Sequence, residues 1–350
     1  NEDNSQSRIQ ELAKNPKDVD WFSLFEEGDG FRVRLVPNTK GKMTNTFSLL
    51  PEGKEKTVSI TANSLGFRSK DFSWQKPNDA YRIAVFGDSS SFGWGVEAKD
   101  SYISKLAQMM PEVEGRHVEV INFAIPGDSS EYGRLIFEKY FPQLQADAVV
   151  IGFGANDAKP VVTEHQAQVD KFRQAGVAHK IKSLFRGSYL LRTVTALLGG
   201  SQMDSAKIKE LKSKPKVPAV TKERYAENLK YMVQEVKASK ALPIIVTACT
   251  PNNYAEMARA VASETDSMFI PAQNIILDFV GNFDSQSNSD SVVKEYVDEL
   301  EGRLKRHLEK NPNFYVSPDA CHPNELGNYL IAKYFLAEAK KRMSISESQN

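Results

Sequence analysis

From Tyr81 to the C-terminal end, short apolar runs alternate with longer stretches of helical character, and this alternation constrains the fold more than any other feature. Arg82–Phe86, His117–Phe123, Ala148–Phe153, Pro243–Cys249 and the weaker Ser267–Ile270 read as strands. Ser101–Met110, Ser130–Gln143, Lys222–Ser239 and a stretch near Tyr254–Glu264 separate them as helices. Lys294–Glu309 and Asn324–Arg342 are the last two helices. Strands joined through helices run parallel, and the expected result is a doubly wound α/β sheet. The first strand runs directly into Gly87-Asp88-Ser89, in the stretch YRIAVFGDSSSFGWG. That places a serine at the carboxyl end of a core strand, where open α/β sheets bind ligands.

Residues 1–78 differ from the rest. Arg8–Lys17 can form a short helix, and FRVRLVPN (Phe31–Asn38) and TVSITANS (Thr57–Ser64) alternate apolar with polar, as half-buried strands do. A small β-rich N-terminal module is expected, ending near the turn-rich Gln75-Lys76-Pro77-Asn78, with the main domain over 79–350. Within that domain an insertion at about 159–220 shows no strand signal. Leu184, Phe185, Leu191, Val194 and Leu198 recur there at helical spacing. The expected role is a helix packed over the core, with a lid or acyl-chain surface as the sharper alternative.

Composition excludes some functions. Lys+Arg and Asp+Glu are both 45, a formal net charge of +0, so the basic surplus of a nucleic-acid binder is missing. No apolar run approaches the roughly 20 residues of a membrane span. The start at Asn1 without Met, in the polar NEDNSQS, is explained by a trimmed leader or equally by a truncated sequence; the expectation is an exported, periplasmic or extracellular protein, with a cytoplasmic one as the alternative. Cys249 and Cys321 are the two cysteines, and one bridge or two free thiols both remain open.

A serine hydroxyl is a weak nucleophile at neutral pH. It needs a base, a carboxylate to orient the base, and donors for an oxyanion. Of His117, His165, His179, His307 and His322, only His322 lies in a Pro/Gly-bounded loop with a carboxylate, Asp319, three residues before it. Asn156 follows a core strand in Gly154-Ala155-Asn156-Asp157, where its amide can donate into the same crevice. Gly-Asp-Ser occurs twice, at Gly87–Ser89 and at Gly127–Ser129, both after strands, and local context does not choose between the two serines.

These blocks carry a resemblance. Gly87-Asp88-Ser89, with Ser90 where the pattern has Leu, then Gly127, then Gly154-Ala155-Asn156-Asp157, then Asp319 to His322 with Pro323-Asn324, resemble the four blocks of the SGNH hydrolases, the GDSL esterase/lipase family. The resemblance covers about Arg82 to Lys341. Asn63-Ser64-Leu65-Gly66-Phe67-Arg68 is similar to a lead-in of bacterial members with an N-terminal extension.

The resemblance implies a flavodoxin-like three-layer α/β/α sandwich with a parallel sheet. It implies Ser89 as nucleophile, His322 as base, Asp319 as the orienting acid, and an oxyanion hole of the Ser89 and Gly127 N–H groups and the Asn156 side chain. Block order then favours Ser89 over Ser129, which reads as a helix N-cap. No metal or organic cofactor is implied. The expected substrate is a small-molecule or carbohydrate ester with an O-acetyl or short acyl group. The alternatives are an O-acyltransferase with the same triad, or a non-catalytic binding protein on the same scaffold. Phe92 and Trp94 are expected in the core or in a substrate pocket. Arg68 is expected as a surface or interdomain pair, with an anion or sugar contact as the alternative.

Overall fold

The structure, a computed structural model, describes residues 24–26, 33–44, 57–171, 173, 214–308, 313, 316–317 and 319–343. The expected helix Arg8–Lys17 and the apolar positions from Leu184 to Leu198 lie outside the described residues.

Five parallel strands form the centre: β1 (Ala80–Gly87), β2 (Arg116–Asn122), β3 (Ala148–Gly152), β4 (Leu242–Val246) and β5 (Met268–Ile270). Their spatial order is 2-1-3-4-5, the flavodoxin-like winding. The helices are α1 (Ser89–Phe92), α2 (Tyr102–Met109), α3 (Ser130–Tyr140), α4 (Lys222–Ala238), α5 (Asn252–Glu264), α6 (Ala272–Gly281), α7 (Phe283–Gln286), α8 (Ser291–Leu308) and α9 (Glu325–Arg342).

Every residue of β1 is buried, as a central parallel strand with both faces covered requires. Tyr81, Ile83 and Val85 join one core with α2, α6, α8 and α9. Ala84 and Phe86 join the other with α3, α4 and α5. The side-chain alternation of a strand thus divides β1 between two helical layers, giving the three-layer sandwich. Ser101 and Thr221 start α2 and α4 by accepting from the N–H groups of Ser104 and Arg224.

Three details depart from the sequence reading. The sheet is mixed, because Glu112–Val113 pairs antiparallel with β2 at its edge. The Glu114-Gly115 turn makes this hairpin: φ is 54° and 72°, the pair of positive angles of a type I′ turn. Helix α6 was not expected. It buries Ala272, Ile276 and Phe279 against the core, at i, i+4 and i+7, a helical spacing that the sequence reading passed over. The insertion does contain strand: Pro160–Val161 pairs antiparallel with Val217–Pro218 and closes its neck. Two residues per strand are too few to show a period.

The N-terminal strands are Phe25–Glu26 with Arg34–Leu35, and Lys40–Thr44 with Thr57–Thr61, both pairs antiparallel. Leu35, Met43, Val58 and Ile60 pack with Phe92 and Ala124, and half-buried Trp94 lies against them. They therefore cover the turn that follows Ser89. The Asn63–Arg68 stretch reinforces this. Asn63 Oδ1 accepts from the N–H groups of Leu65 and Phe67 and curls the chain. Phe67 then meets Phe123 and Tyr140 edge-on, at 4.9 and 5.4 Å between centroids.

Arg68, 5% exposed, donates to the carbonyls of Phe92 at 3.2 Å, Gly93 at 2.7 Å, Val96 at 2.8 Å and Ser59 at 3.0 Å. It is a buried clamp that ties the 1–78 segment to the turn after Ser89: an interdomain contact as expected, but made to carbonyls and away from the surface, and no anion or sugar contact. Burial pulls the guanidinium down to about 10, opposed by the charge of Glu97. Among the described residues, no helix is long and apolar enough to cross a membrane.

Candidate active site

The ends of three strands and the loop that precedes α9 converge at the carboxyl edge of the sheet. After β1, the chain enters α1 with Asp88 as N-cap, its carboxylate accepting from Ser90 N–H at 2.9 Å. Gly93 closes this single turn in the left-handed region at φ 78°. Gly87 and Gly152 face each other across β1 and β3. A Cβ on Gly87 would sit 2.6 Å from Ser91 Oγ, and one on Gly152 2.5 Å from it. Only glycine at both places lets the two backbones and the Ser91 side chain coexist, so the glycines fix where Ser89 emerges.

His322 arrives from the opposite end of the chain. Its Nε2 lies 2.8 Å from Ser89 Oγ, and its Nδ1 lies 2.6 Å from Asp319 Oδ2. A carboxylate can only accept, so Nδ1 carries the proton and Nε2 is left to accept from the Ser89 hydroxyl. Asp319 Oδ1 takes the N–H groups of Cys321 and His322 at 3.0 and 2.7 Å, so the carboxylate is held on both oxygens. Burial alone would raise this carboxyl. The hydrogen bond and charge of His322 and the two backbone donors outweigh burial and hold it below the usual carboxylate range. A hydroxyl so placed can pass its proton to the imidazole as it attacks an acyl carbon.

The His322 loop is tied down on several sides. Asn324 caps α9 by accepting from Gly327 N–H. Asn328, 1% exposed, donates to Pro323 O and accepts from Tyr102 N–H, joining α9 to the start of α2. The two cysteines form a disulfide, Cys249–Cys321, which links the loop after β4 to the residue beside His322. The sequence had left this pairing open. The bridge closes a separation of 72 residues, worth about 4 kcal/mol in the loop-entropy picture. Cys249→Ser/Cys321→Ser is therefore expected to lower unfolding free energy by about 3–4 kcal/mol and kcat by about tenfold, measured by denaturant titration and ester turnover. Unchanged turnover would show that the other ties suffice to hold His322.

After β2, Gly127 adopts φ 83°. Its N–H and that of Ser89 make no hydrogen bond within the protein among the described residues. After β3, Asn156, 3% exposed, donates from Nδ2 to Asp128 O at 3.0 Å, and its Oδ1 accepts from Lys159 Nζ at 2.6 Å. Ser89, Gly127 and Asn156 thus follow β1, β2 and β3, three adjacent strands around the winding reversal. The second Ser of the repeated tripeptide is elsewhere. Ser129 is fully buried with its Oγ 2.9 Å from His165 Nδ1. It holds the N-cap position of α3 without a side-chain cap bond. Its partner anchors the insertion base, which sequence reasoning did not foresee. Phe92 is in the core, while the Trp94 ring lies 6.1 Å from that of His322.

Two buried acids brace these turns. Burial raises Asp88 to about 6, against the pull of the Ser90 N–H, His322 and Lys159. Burial raises Asp157 to about 7, against its bonds from the Ser130 hydroxyl and N–H. A carboxyl raised in the folded state favours folding while it is protonated. That contribution is full below the unfolded value of 3.8 and is lost as pH climbs through about 6 and 7. Asp157→Asn is expected to flatten the fall in melting temperature between pH 5 and 8, and to gain a few kcal/mol on wild type at pH 8. An unchanged pH slope in thermal unfolding would refute this.

The family described as GDSL-like Lipase/Acylhydrolase matches residues 85–330, more than half of the chain, including the three strand ends and the His322 loop. The chain belongs to the GDSL-like lipase/acylhydrolase family. It is accordingly a hydrolase of the GDSL type. Solved structures similar to this GDSL protein include a lipase/acylhydrolase from Enterococcus faecalis, at 17% identity and TM-score 0.41, covering 76% of this chain and 99% of that one. A psychrotrophic esterase from Pseudoalteromonas sp. has 16% identity and TM-score 0.40, covering 75% and 97%. An acetylxylan esterase from Geobacillus stearothermophilus has 17% identity and TM-score 0.41, covering 74% and 93%. No curated protein matches the GDSL chain.

Proposed function

We propose that this GDSL hydrolase is a serine esterase acting through an acyl-serine. The observation that carries the reading is the unbroken line from Ser89 Oγ through His322 to Asp319, at 2.8 and 2.6 Å, across 233 residues of sequence. Ser89 Oγ attacks the ester carbonyl as Nε2 of His322 takes its proton. The oxyanion rests on the N–H groups of Ser89 and Gly127 and on Asn156 Nδ2. His322 then protonates the departing alcohol. A water, deprotonated by the same Nε2, releases the acid and restores Ser89. Asp319 keeps the proton on Nδ1 throughout and faces the imidazolium as it forms.

The substrate proposed is a carboxylic ester with an O-acetyl or short acyl group, on a carbohydrate or other small alcohol. Trp94 offers an apolar surface beside His322 for that group. An exported location fits the Cys249–Cys321 bridge, which persists in oxidising compartments. Residues 1–78 form an extension, whose described strands cover the turn after Ser89, with 79–350 as the hydrolase domain. Turnover of p-nitrophenyl esters of graded chain length tests the function, with hydrolysis of the shortest esters expected to be fastest. Fluorophosphonate should label Ser89. A protein that neither turns over an ester nor takes the label would overturn the reading.

A further inference from the structure

Lys159 lies one step behind the proposed oxyanion hole. Its Nζ donates to Asn156 Oδ1 at 2.6 Å, while Nδ2 of the same amide donates to the Asp128 carbonyl at 3.0 Å. The ammonium can only donate and the carbonyl can only accept, so the two partners agree on one orientation of the carboxamide. One N–H of Nδ2 goes to Asp128 and leaves the second for a ligand. A flipped amide would face a cation with its own donors and a carbonyl with its own acceptor.

The lysine is itself placed by the fold. Lys159 O accepts from Ala219 N–H at 2.8 Å, and Val220 N–H donates to Asp157 O at 3.0 Å. Pro160–Val161 follows at once and pairs with Val217–Pro218. The neck of the insertion therefore sets the backbone from which Lys159 reaches Asn156. The ammonium also acts on Asp88 at the nucleophile turn, whose ionised form it favours.

We propose that Lys159 is a positioning residue for ester hydrolysis: its ammonium locks and polarises the Asn156 carboxamide, so that Nδ2 meets the developing oxyanion as a charge-assisted donor. The inference rests on the esterase reading of the site. A positive charge on Oδ1 draws electron density from the amide nitrogen and strengthens its N–H as a donor. The gain grows with the negative charge on the substrate oxygen, so it acts on the transition state more than on the bound ester. Lys159 thereby joins the insertion neck to the chemistry without touching substrate.

The test is a double-mutant cycle with a conservative rescue. Wild type, Lys159→Met, Lys159→Arg, Asn156→Ala and Asn156→Ala/Lys159→Met are compared for kcat and KM on p-nitrophenyl acetate. Their rates of Ser89 phosphonylation by a fluorophosphonate are compared as well, since that reaction also loads negative charge into the hole. Lys159→Met is expected to lower kcat and the labelling rate about tenfold, with KM within twofold. Lys159→Arg should recover most of the loss. On the Asn156→Ala background Lys159→Met should cost less than twofold. Unchanged rates in Lys159→Met, or an equal loss on both backgrounds, would overturn the proposal. A wild type that is labelled but hydrolyses no ester leaves the labelling rates to decide. A wild type that is not labelled at all overturns the esterase reading and this inference together.

Discussion

Ser89→Ala is expected to reduce kcat on p-nitrophenyl esters by about 10⁴–10⁶-fold with little change in KM. The substitution removes the oxygen that lies 2.8 Å from His322 Nε2 and leaves the rest of the site in place. Binding and the oxyanion donors should survive, so a small residual rate over water is expected. Asp88 caps the α1 turn with its carboxylate and Gly93 closes it with its backbone N–H, and neither contact uses the Ser89 hydroxyl. The variant should therefore melt close to wild type. Ser129→Ala is the control, because it carries the same tripeptide in a different setting. It breaks the bond to His165 in the buried base of the insertion and should lose about 1–3 kcal/mol of stability. Its kcat should stay within about threefold of wild type. Full activity in Ser89→Ala, or abolished activity in folded Ser129→Ala, would transfer the nucleophile to the second serine.

Asn156→Ala is the second large effect, a loss of about 10²–10³ in kcat. The amide is 3% exposed and held at both ends, so the donor it offers needs no reorganisation during reaction. Preorganisation in a dry site is why one donor there outweighs an ordinary surface hydrogen bond. The alanine also strips Lys159 of the oxygen that accepts its hydrogen bond. Asn156→Asp should be worse than alanine, since an acceptor would face the oxyanion and the Asp128 carbonyl. Kinetics on the chain-length series checks both, with KM expected to move less than threefold. A tenfold rise in KM at constant kcat would instead make Asn156 a ground-state binding group.

Much of the candidate site was legible in the sequence, for a definite reason. Ser89, Gly127, Asn156 and the Asp319–His322 pair each sit at a strand-to-helix junction or in a loop marked by Gly, Pro and small polar residues. Such junctions depend on local backbone geometry, which residue type reports directly. The five parallel strands were legible because β-branched apolar runs of about five residues have few other homes. The neck strands and α6 were not. Two-residue strands have no period, whereas α6 carries a helical i, i+4, i+7 apolar spacing, Ala272, Ile276 and Phe279, that was overlooked.

The sequence by itself determined the parallel α/β architecture, the four blocks in order and the chemistry their residues can perform. Only the tertiary structure decided which long-range partners they keep. Cys249 pairs with Cys321, Ser129 turns to His165, and Ser89 meets His322. Arg68 could be read as a surface charge or a ligand contact, and the fold made it a clamp on the carbonyls of Phe92, Gly93 and Val96. Propensity and spacing act over a few residues along the chain. A hydrogen bond or a disulfide between distant residues depends on a separation in space, which exists only once the layers have packed.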